Sequence, residues 1–110
     1  MGRYIVTGGA GFIGSRIAAR MIERGDSVVI LDDFSTGLRS NVPAAAECVE
    51  GSLSKAGTFK RLDPRRVSGI LHLGGQSSGE ISYEDPLHDF DVNARGTFLL
   101  LKWCEQYGVK

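Results

Sequence analysis

The fold of this chain is decided by one stretch near its beginning, Thr7-Gly8-Gly9-Ala10-Gly11-Phe12-Ile13-Gly14. The stretch follows a short apolar run at residues 4–7 that is typical of a buried strand. It leads into a segment in which Ile13, Ile17 and Met21 recur at four-residue intervals, and this spacing predicts one face of a helix. The sequence therefore predicts a strand, a glycine-rich turn and a helix in direct succession.

Each glycine of this turn has a separate physical role. Gly8 permits a tight turn, Gly11 lets the backbone approach a pyrophosphate group, and Gly14 allows close contact between helix and strand. The N–H groups around Phe12 and Ile13 then point at the phosphates from the helix N-terminus, where the helix dipole also favours negative charge. The turn is thus a predicted dinucleotide-binding site.

Strand and helix patterns alternate along the rest of the chain. Further strands are predicted at residues 28–31, 47–50 and 69–73, and one helical turn is predicted near Arg39. Helices are predicted at 54–62, capped by Ser54, and at 86–107, capped by Asp85. This alternation predicts an α/β fold, namely a Rossmann-like doubly wound parallel sheet of about four strands in the order 3-2-1-4. Such a sheet has a crevice at the carboxyl ends of its first and fourth strands.

Asp32 ends the predicted second strand and lies 18 residues after Gly14. This spacing is close to that of the carboxylate that binds ribose hydroxyls in dinucleotide-binding proteins. The carboxylate would repel a 2′-phosphate, so the sequence favours NAD over NADP. Arg39 is the one nearby residue that could soften this preference.

Composition limits the other kinds of partner. The chain has 13 basic and 13 acidic residues, so its net charge gives no reason to expect nucleic-acid binding. No apolar run approaches the length of a membrane span, and the N-terminus has no signal-peptide pattern. We therefore expect a cytoplasmic protein with no membrane partner, and we expect no metal site.

Four motifs, TGGAGFIGS, LDDFSTG, HLGGQSS and DVNARGTFLLL, resemble the N-terminal part of the NAD-dependent epimerase/dehydratase family, the extended short-chain dehydrogenases that act on nucleotide sugars. The resemblance runs from Tyr4 to about Tyr107. It implies that NAD is the cofactor and that this chain binds the ADP-ribose half, with Asp32 at the adenosine ribose. The implied cofactor-binding residues lie in the glycine turn and in the loops after the second, third and fourth strands: Gly8, Gly11, Phe12, Ile13, Gly14, Asp32, Asp33, Phe34, Ser35, Thr36, Gly37, Ser52, Leu53, Leu73, Gly74 and Gly75.

The chain departs from the family pattern in three places. Gly51-Ser52 stands where the family has Gly-Asp, whose carboxylate accepts a hydrogen bond from the adenine amino group, and serine is a weaker acceptor. Gly74-Gly75 stands where the family has two alanines, which raises the entropic cost of ordering that loop. The catalytic Tyr-x-x-x-Lys motif is absent, since Tyr83 is followed four residues later by Leu87.

The missing motif leaves three functions open. In this family the tyrosine, assisted by the lysine, is the general acid and base. We therefore expect no catalytic residue here, a single NAD-binding domain over residues 1–110, and no substrate domain. His72 lies on an apolar strand and is interpreted as a structural histidine. The leading function is an NAD-binding module; the alternatives are an epimerase or dehydratase completed by another chain, and an oligomeric scaffold with a vestigial dinucleotide site.

The long helix and the fourth strand predict a homodimer. Exposed apolar stripes usually mark interfaces, and the resemblance is to a family in which this helix commonly joins a dimeric helix bundle. Strand 69–73 offers a second surface because its outer edge lacks a pairing strand. We expect a dimer through helix 86–107, that edge, or both. On the helix we expect one face to pack on the sheet (Leu87, Phe90, Ala94, Phe98 and Leu101) and the opposite face to be exposed (Val92, Gly96, Leu99, Trp103 and Tyr107).

Overall fold

The computed structural model describes residues 1–110 and contains one four-stranded sheet. Its strands are β1 (Arg3–Thr7), β2 (Ser27–Asp32), β3 (Glu47–Glu50) and β4 (Gly69–His72). Neighbouring strands are parallel and lie in the order β3-β2-β1-β4. The predicted Rossmann-like α/β fold and strand order are confirmed, and each strand differs from its predicted bounds by at most one residue at either end.

Apolar side chains on the two faces of the sheet form two cores. Ile5 and Val6 are neighbours on β1, yet they belong to different cores, and both are fully buried. Helix α1 (Phe12–Glu23) covers the Val6 core and contributes Ala18 to it. Segments after β3 and β4 cover the Ile5 core, which includes Trp103. Because both faces are covered, the central strands are continuously apolar in sequence.

The predicted helix at 54–62 is shorter in the structure and begins differently. It is reduced to α2 (Ala56–Phe59), and its N-cap residue is Lys55, so the prediction of a Ser54 cap is wrong. The Ser54 hydroxyl instead lies 2.9 Å from the hydroxyl of Ser52. Serine favours helix caps and local turns for the same reason, and here the turn is formed.

Two short helical segments complete the loops. A 3₁₀ turn at Arg39–Asn41 confirms the helical turn predicted near Arg39. Helix α3 (Gly79–Glu84) is an addition to the predicted elements, and the Ser78 hydroxyl caps it by accepting the N–H of Ile81. Among all the helices, none has both the length and the apolar content needed to cross a bilayer.

The predicted helix 86–107 is one continuous helix made of three parts: α4 (Pro86–Phe90), a π-helical turn (Asp91–Arg95) and α5 (Gly96–Tyr107). Asp85 caps it as predicted, since its Oδ1 accepts the N–H of His88 at 3.1 Å. In the π turn the N–H of Gly96 donates to the carbonyl of Asp91, five residues earlier. This turn therefore contains one residue more than a regular α-helical turn, and the helix is wider at this point.

The prediction of which face of this helix is buried is wrong. Trp103 is only 5% exposed and belongs to the Ile5 core, whereas Phe98 is 61% exposed. A Cβ at Gly96 would lie 2.9 Å from the Cβ of Leu53, so the helix approaches the body of the protein on the side that carries Gly96 and Trp103. Helical spacing separates the two faces, but close packing at the glycine and burial of the indole decide between them. The exposed face, called the outer stripe below, consists of Leu87, Phe90, Ala94, Phe98 and Leu101.

The outer edge of β4 is partly paired, which corrects the expectation of an edge without a partner. The N–H of Ile70 donates to the carbonyl of Lys110 at 2.8 Å. Val109, next to it, packs against the Ile5 core. One outward-facing N–H of the edge strand is thus satisfied within the chain, and the outer stripe is left as the larger exposed apolar surface.

We expect Trp103→Ala to lower the free energy of unfolding by about 3–5 kcal/mol, because it leaves a cavity in the Ile5 core. Phe98→Ala, on the outer stripe of the same helix, is expected to change it by less than about 1 kcal/mol. Urea denaturation of both variants at low protein concentration measures the difference. A larger loss for Phe98→Ala than for Trp103→Ala would restore the opposite orientation of the helix.

Candidate functional site

The turn after β1 brings three backbone segments into contact. Gly8 has a φ of +69°, which side chains disfavour, and a Cβ at this residue would lie 2.8 Å from the Cα of Gly74. A Cβ at Gly14 would lie 2.2 Å from the carbonyl oxygen of Gly8. The turn, the start of α1 and the loop after β4 therefore meet through their backbones, as the tight turn and close packing predicted for Gly8 and Gly14 require.

The N-terminus of α1 presents unpaired backbone donors. The N–H groups of Gly11 and Ser15 donate to carbonyls of the turn, but those of Phe12, Ile13 and Gly14 have no acceptor within the protein. The helix has no side-chain cap and no acidic residue in its first turn. These donors and the positive end of the helix dipole form an arrangement that suits an anion.

The carboxylate of Asp32 lies at the end of β2, beside this turn. Its Oδ2 accepts the N–H of Ala10 at 2.9 Å, and its Oδ1 accepts the N–H of Phe34 at 2.9 Å. The two bonds fix the carboxylate between the glycine turn and the loop that follows β2. Each oxygen keeps lone pairs for further donors such as hydroxyl groups.

An open cleft of about 470 Å³ lies at the carboxyl ends of the strands. Four of the predicted cofactor residues, Phe12, Ile13, Gly14 and Phe34, do not line it. All the others do, and loops after all four strands contribute: Gly8, Gly11, Asp32, Asp33, Ser35, Thr36, Gly37, Ser52, Leu53, Leu73, Gly74 and Gly75. The remaining lining residues are Leu31, Gly51, Gln76, Ser77, Ser78, Ile81, His88 and Val92.

The hydroxyl of Thr7 holds the loop after β4 against the turn. It accepts the N–H groups of Leu73 and Gly74, each at 3.0 Å, and lies 2.6 Å from Nδ1 of His72. Since two backbone donors occupy its lone pairs, the hydroxyl donates its own proton to His72. Thr7 is fully buried, so these hydrogen bonds are shielded from water. They order a loop whose two glycines, Gly74 and Gly75, raise the entropic cost of ordering it.

His72 is fixed in one tautomer by two threonines. Because Nδ1 accepts from Thr7, the neutral ring carries its proton on Nε2, which donates to the hydroxyl of Thr97 at 3.0 Å. Thr97 in turn donates to the carbonyl of Asn93 at 2.7 Å. Burial lowers the pKa of His72, in keeping with a neutral ring. Both ring nitrogens have partners, which supports the interpretation of His72 as a structural histidine.

Asn93, in the π turn, positions the same loop and was outside the predicted site. Its Oδ1 accepts the N–H of Gln76 at 2.7 Å, and its Nδ2 donates to the carbonyl of Gln76 at 2.7 Å. Asp89 accepts from both side-chain amides, at 2.7 Å from Gln76 and 3.1 Å from Asn93. No spacing rule singles out this asparagine, because its partner is the backbone of a different segment.

Ser52 lines the cleft after β3, where the family pattern has an aspartate. Its hydroxyl oxygen accepts the N–H of Ser54 at 3.2 Å and lies 2.9 Å from the Ser54 hydroxyl. These bonds within its own turn leave the hydroxyl little capacity to accept from another donor. The Ser52 hydroxyl, expected to be a weaker acceptor than an aspartate, is thus also largely occupied by Ser54.

The lowered pKa of His72 makes the free energy of unfolding depend on pH. The folded pKa lies below the ordinary value of 6.5, so the unfolded chain binds this proton more tightly. The stabilisation from the neutral ring is complete above about pH 6.5 and is lost as the pH falls through the folded pKa. We expect the free-energy difference between the wild type and His72→Gln, measured by urea denaturation, to shrink between pH 8 and pH 5. A difference that stays constant would show that folding does not lower the pKa of His72.

Sequence comparison places this geometry in a family. The chain matches the model of the NAD dependent epimerase/dehydratase family over residues 4–110. A UDP-glucose 4-epimerase of Streptomyces lividans is 37% identical over 111 residues, covering 99% of this chain and 34% of that protein. A putative UDP-glucose 4-epimerase of Methanocaldococcus jannaschii is 34% identical over 105 residues, covering 96% of this chain and 34% of that protein.

Solved structures have the same fold. The UDP-glucose 4-epimerase of Thermus thermophilus, in complex with NAD, superposes with a TM-score of 0.92 at 40% identity, over 98% of this chain and 35% of that one. The UDP-glucose 4-epimerase of Thermotoga maritima, with UDP-glucose, gives a TM-score of 0.93 at 36% identity, over 98% and 35% of the two chains. This chain spans about a third of the length of these relatives. Because the family model matches nearly all of its residues, the chain belongs to the NAD dependent epimerase/dehydratase family.

Proposed function

We propose that this chain is the dinucleotide-binding part of a nucleotide-sugar epimerase or dehydratase, and that it binds NAD through the ADP-ribose half. One observation carries the proposal: Asp32 and Gly11, the residue directly before the unpaired N–H groups at the start of α1, line the same open cleft. The relatives support the substrate class, since they are UDP-glucose 4-epimerases and one of them was crystallised with NAD.

The glycine turn fits a pyrophosphate group. Three backbone donors, on Phe12, Ile13 and Gly14, are free to bind phosphate oxygens. Gly8 and Gly11 line the cleft without side chains that would keep a ligand away from the backbone. The side chains of Phe12 and Ile13 are exposed, so these two residues would act through their N–H groups alone.

The loops after β2 and β3 fit an adenosine. Asp32 would accept hydrogen bonds from the ribose hydroxyls, and the segment 33–37 would lie along the adenine. Ser52 would contribute weakly, because its hydroxyl is occupied within its own turn. Arg39 is ion-paired with Glu50 at 2.6 Å, which supports NAD rather than NADP as the cofactor.

When bound, NAD takes up and returns a hydride, which is the chemistry that epimerases and dehydratases of this type require. The residues of this chain would bind and orient the cofactor. Thr7 and Asn93 hold the segment 73–76 along the cleft, and no side chain of this chain is assigned as a general acid or base. The chain would thus supply cofactor binding, while proton transfer would need a tyrosine and a lysine beyond those found here.

Titration calorimetry with NAD and with ADP-ribose tests the proposal directly. Similar affinities are expected, because the proposed contacts are to the half that the two ligands share. The ribose contact is tested with ADP and 2′-deoxy-ADP: the wild type is expected to bind ADP about tenfold more tightly, and Asp32→Asn is expected to lose most of this preference.

The control variant is Glu23→Gln, which removes a carboxylate at the far end of α1 that pairs with Arg20. It should retain the preference for ADP, and thermal unfolding of both variants checks that they are folded. If Asp32→Asn kept the full preference, Asp32 would not bind the ribose. If the wild type bound neither NAD nor ADP-ribose, the proposed function would be wrong.

We also propose that the chain forms a homodimer through the outer stripe. Its four large residues are each more than half exposed, and the stripe extends along the helix for about 21 Å at 1.5 Å per residue. Contiguous apolar surfaces of this kind are typical of interfaces. A second copy of the same helix would offer a self-complementary surface around a twofold axis.

Phe98→Glu is expected to convert a dimer to a monomer, because it places a charge in the middle of the apolar stripe. Sedimentation velocity at tens of micromolar measures the change. Gln106→Glu on the same helix adds the same charge away from the stripe and should leave the dimer intact. A monomeric wild type, or equal effects of the two variants, would contradict the proposed interface.

A further inference from the structure

Two charged residues beside Asp32 are outside the proposed cofactor contacts. Glu50 is the register partner of Asp32 on the neighbouring parallel strand, so the two carboxylates lie on adjacent strands at the same edge of the sheet. Glu50 accepts a hydrogen bond from Arg39 at 2.6 Å. Neither Glu50 nor Arg39 lines the cleft, but Glu50 directly precedes Gly51 and Arg39 follows Gly37 by two residues, and both glycines line it.

Arg39 is held close to the end of the proposed ribose site by a second contact. Its guanidinium lies 4.1 Å from the ring centroid of Phe34. The N–H of Phe34 donates to Asp32, and the left-handed backbone of Phe34, at a φ of +59°, sets the direction of its ring. The aromatic face of Phe34 and the Glu50 carboxylate together fix the Arg39 cation, and both of these residues are linked to Asp32, Phe34 by a hydrogen bond and Glu50 by strand pairing.

From this arrangement, and resting on the proposed function, we propose that Glu50 determines cofactor specificity by engaging Arg39, a cation between β2 and β3 that could bind a 2′-phosphate. A 2′-phosphate would carry close to two negative charges, and arginine is the residue that usually accepts it. With Glu50 present, Asp32, Glu50 and Arg39 together carry one negative charge. Without Glu50 they are neutral, and the guanidinium keeps its position on Phe34 with its donors free.

The ion pair is suited to this role because it contributes little to the fold. The side chains of Arg39 and Glu50 are 65% and 55% exposed, and ion pairs in such settings stabilise proteins only slightly. Removing Glu50 should therefore change the charge beside the ribose without unfolding the chain. A surface pair with a small structural effect can still decide between two ligands that differ by one phosphate.

The test compares the affinities of ADP-ribose and 2′-phospho-ADP-ribose by titration calorimetry. The wild type is expected to prefer ADP-ribose strongly. Glu50→Gln should bind ADP-ribose within about twofold of the wild type and 2′-phospho-ADP-ribose about fivefold more tightly, so the preference falls about fivefold. Adding Arg39→Gln to Glu50→Gln should abolish this gain, because it removes the cation that receives the phosphate.

Glu47→Gln is the matched control, since it removes an acid from the other end of β3 that pairs with Arg3. An equal gain in Glu47→Gln, or a gain that persists in the double variant, would show a general charge effect and overturn the role of Arg39. An unchanged preference in Glu50→Gln, with ADP-ribose still bound, would overturn this inference alone. If no variant bound ADP-ribose, the proposed function would be overturned and this inference with it.

Discussion

The cleft depends on one contact between two backbone segments, at Gly8 and Gly74. Because a Cβ on Gly8 would fall 2.8 Å from the Cα of Gly74, these segments can meet only without a side chain between them. The contact brings the loop after β4 against the turn after β1, and the buried hydroxyl of Thr7 fixes it by binding two backbone N–H groups. The turn also leaves the N–H groups of Phe12, Ile13 and Gly14, at the start of α1, without an acceptor in the protein.

Different interactions fix the secondary-structure elements and the loops of this structure. Apolar burial on both faces of the sheet fixes the strands and helices, through one core that contains Val6 and another that contains Ile5. Polar bonds fix the loops, through Thr7 and His72 on one side and Asn93 on the other. Since the loops carry the cleft, its shape depends on a few directional bonds to side chains that lie outside its lining.

The sequence was sufficient for the features that depend on local rules. The strand order follows from alternating apolar runs, and the turn at Gly8, the cap at Asp85 and the placement of Asp32 at the edge of the cleft follow from residue type and spacing. It was insufficient where distant segments compete. Whether Trp103 or Phe98 faces the core depends on how Gly96 packs against Leu53, a contact between residues 43 positions apart in the chain.

The site shows the same division. Most lining residues could be named from motifs, because those motifs lie directly after strands whose carboxyl ends converge. The role of Asn93 could not be predicted, because its side chain binds the backbone N–H and carbonyl of Gln76 and lies in a π turn that no residue pattern predicts. Likewise, the hydrogen bond from the N–H of Ile70 to the carbonyl of Lys110 could not be predicted, because it depends on where the edge of β4 lies.

The π turn affects the relative orientation of Asn93 and Trp103 on the long helix. In a uniform α-helix, the angular position of Asn93 would fix that of Trp103 ten residues later, at about 100° per residue. The extra residue in the turn changes this phase relation, so Asn93, within the turn, can face the loop that it binds while Trp103 faces the core. Deleting a single residue from the turn would restore regular α-helical spacing. Either the hydrogen bonds between Asn93 and Gln76 or the burial of Trp103 would then be lost.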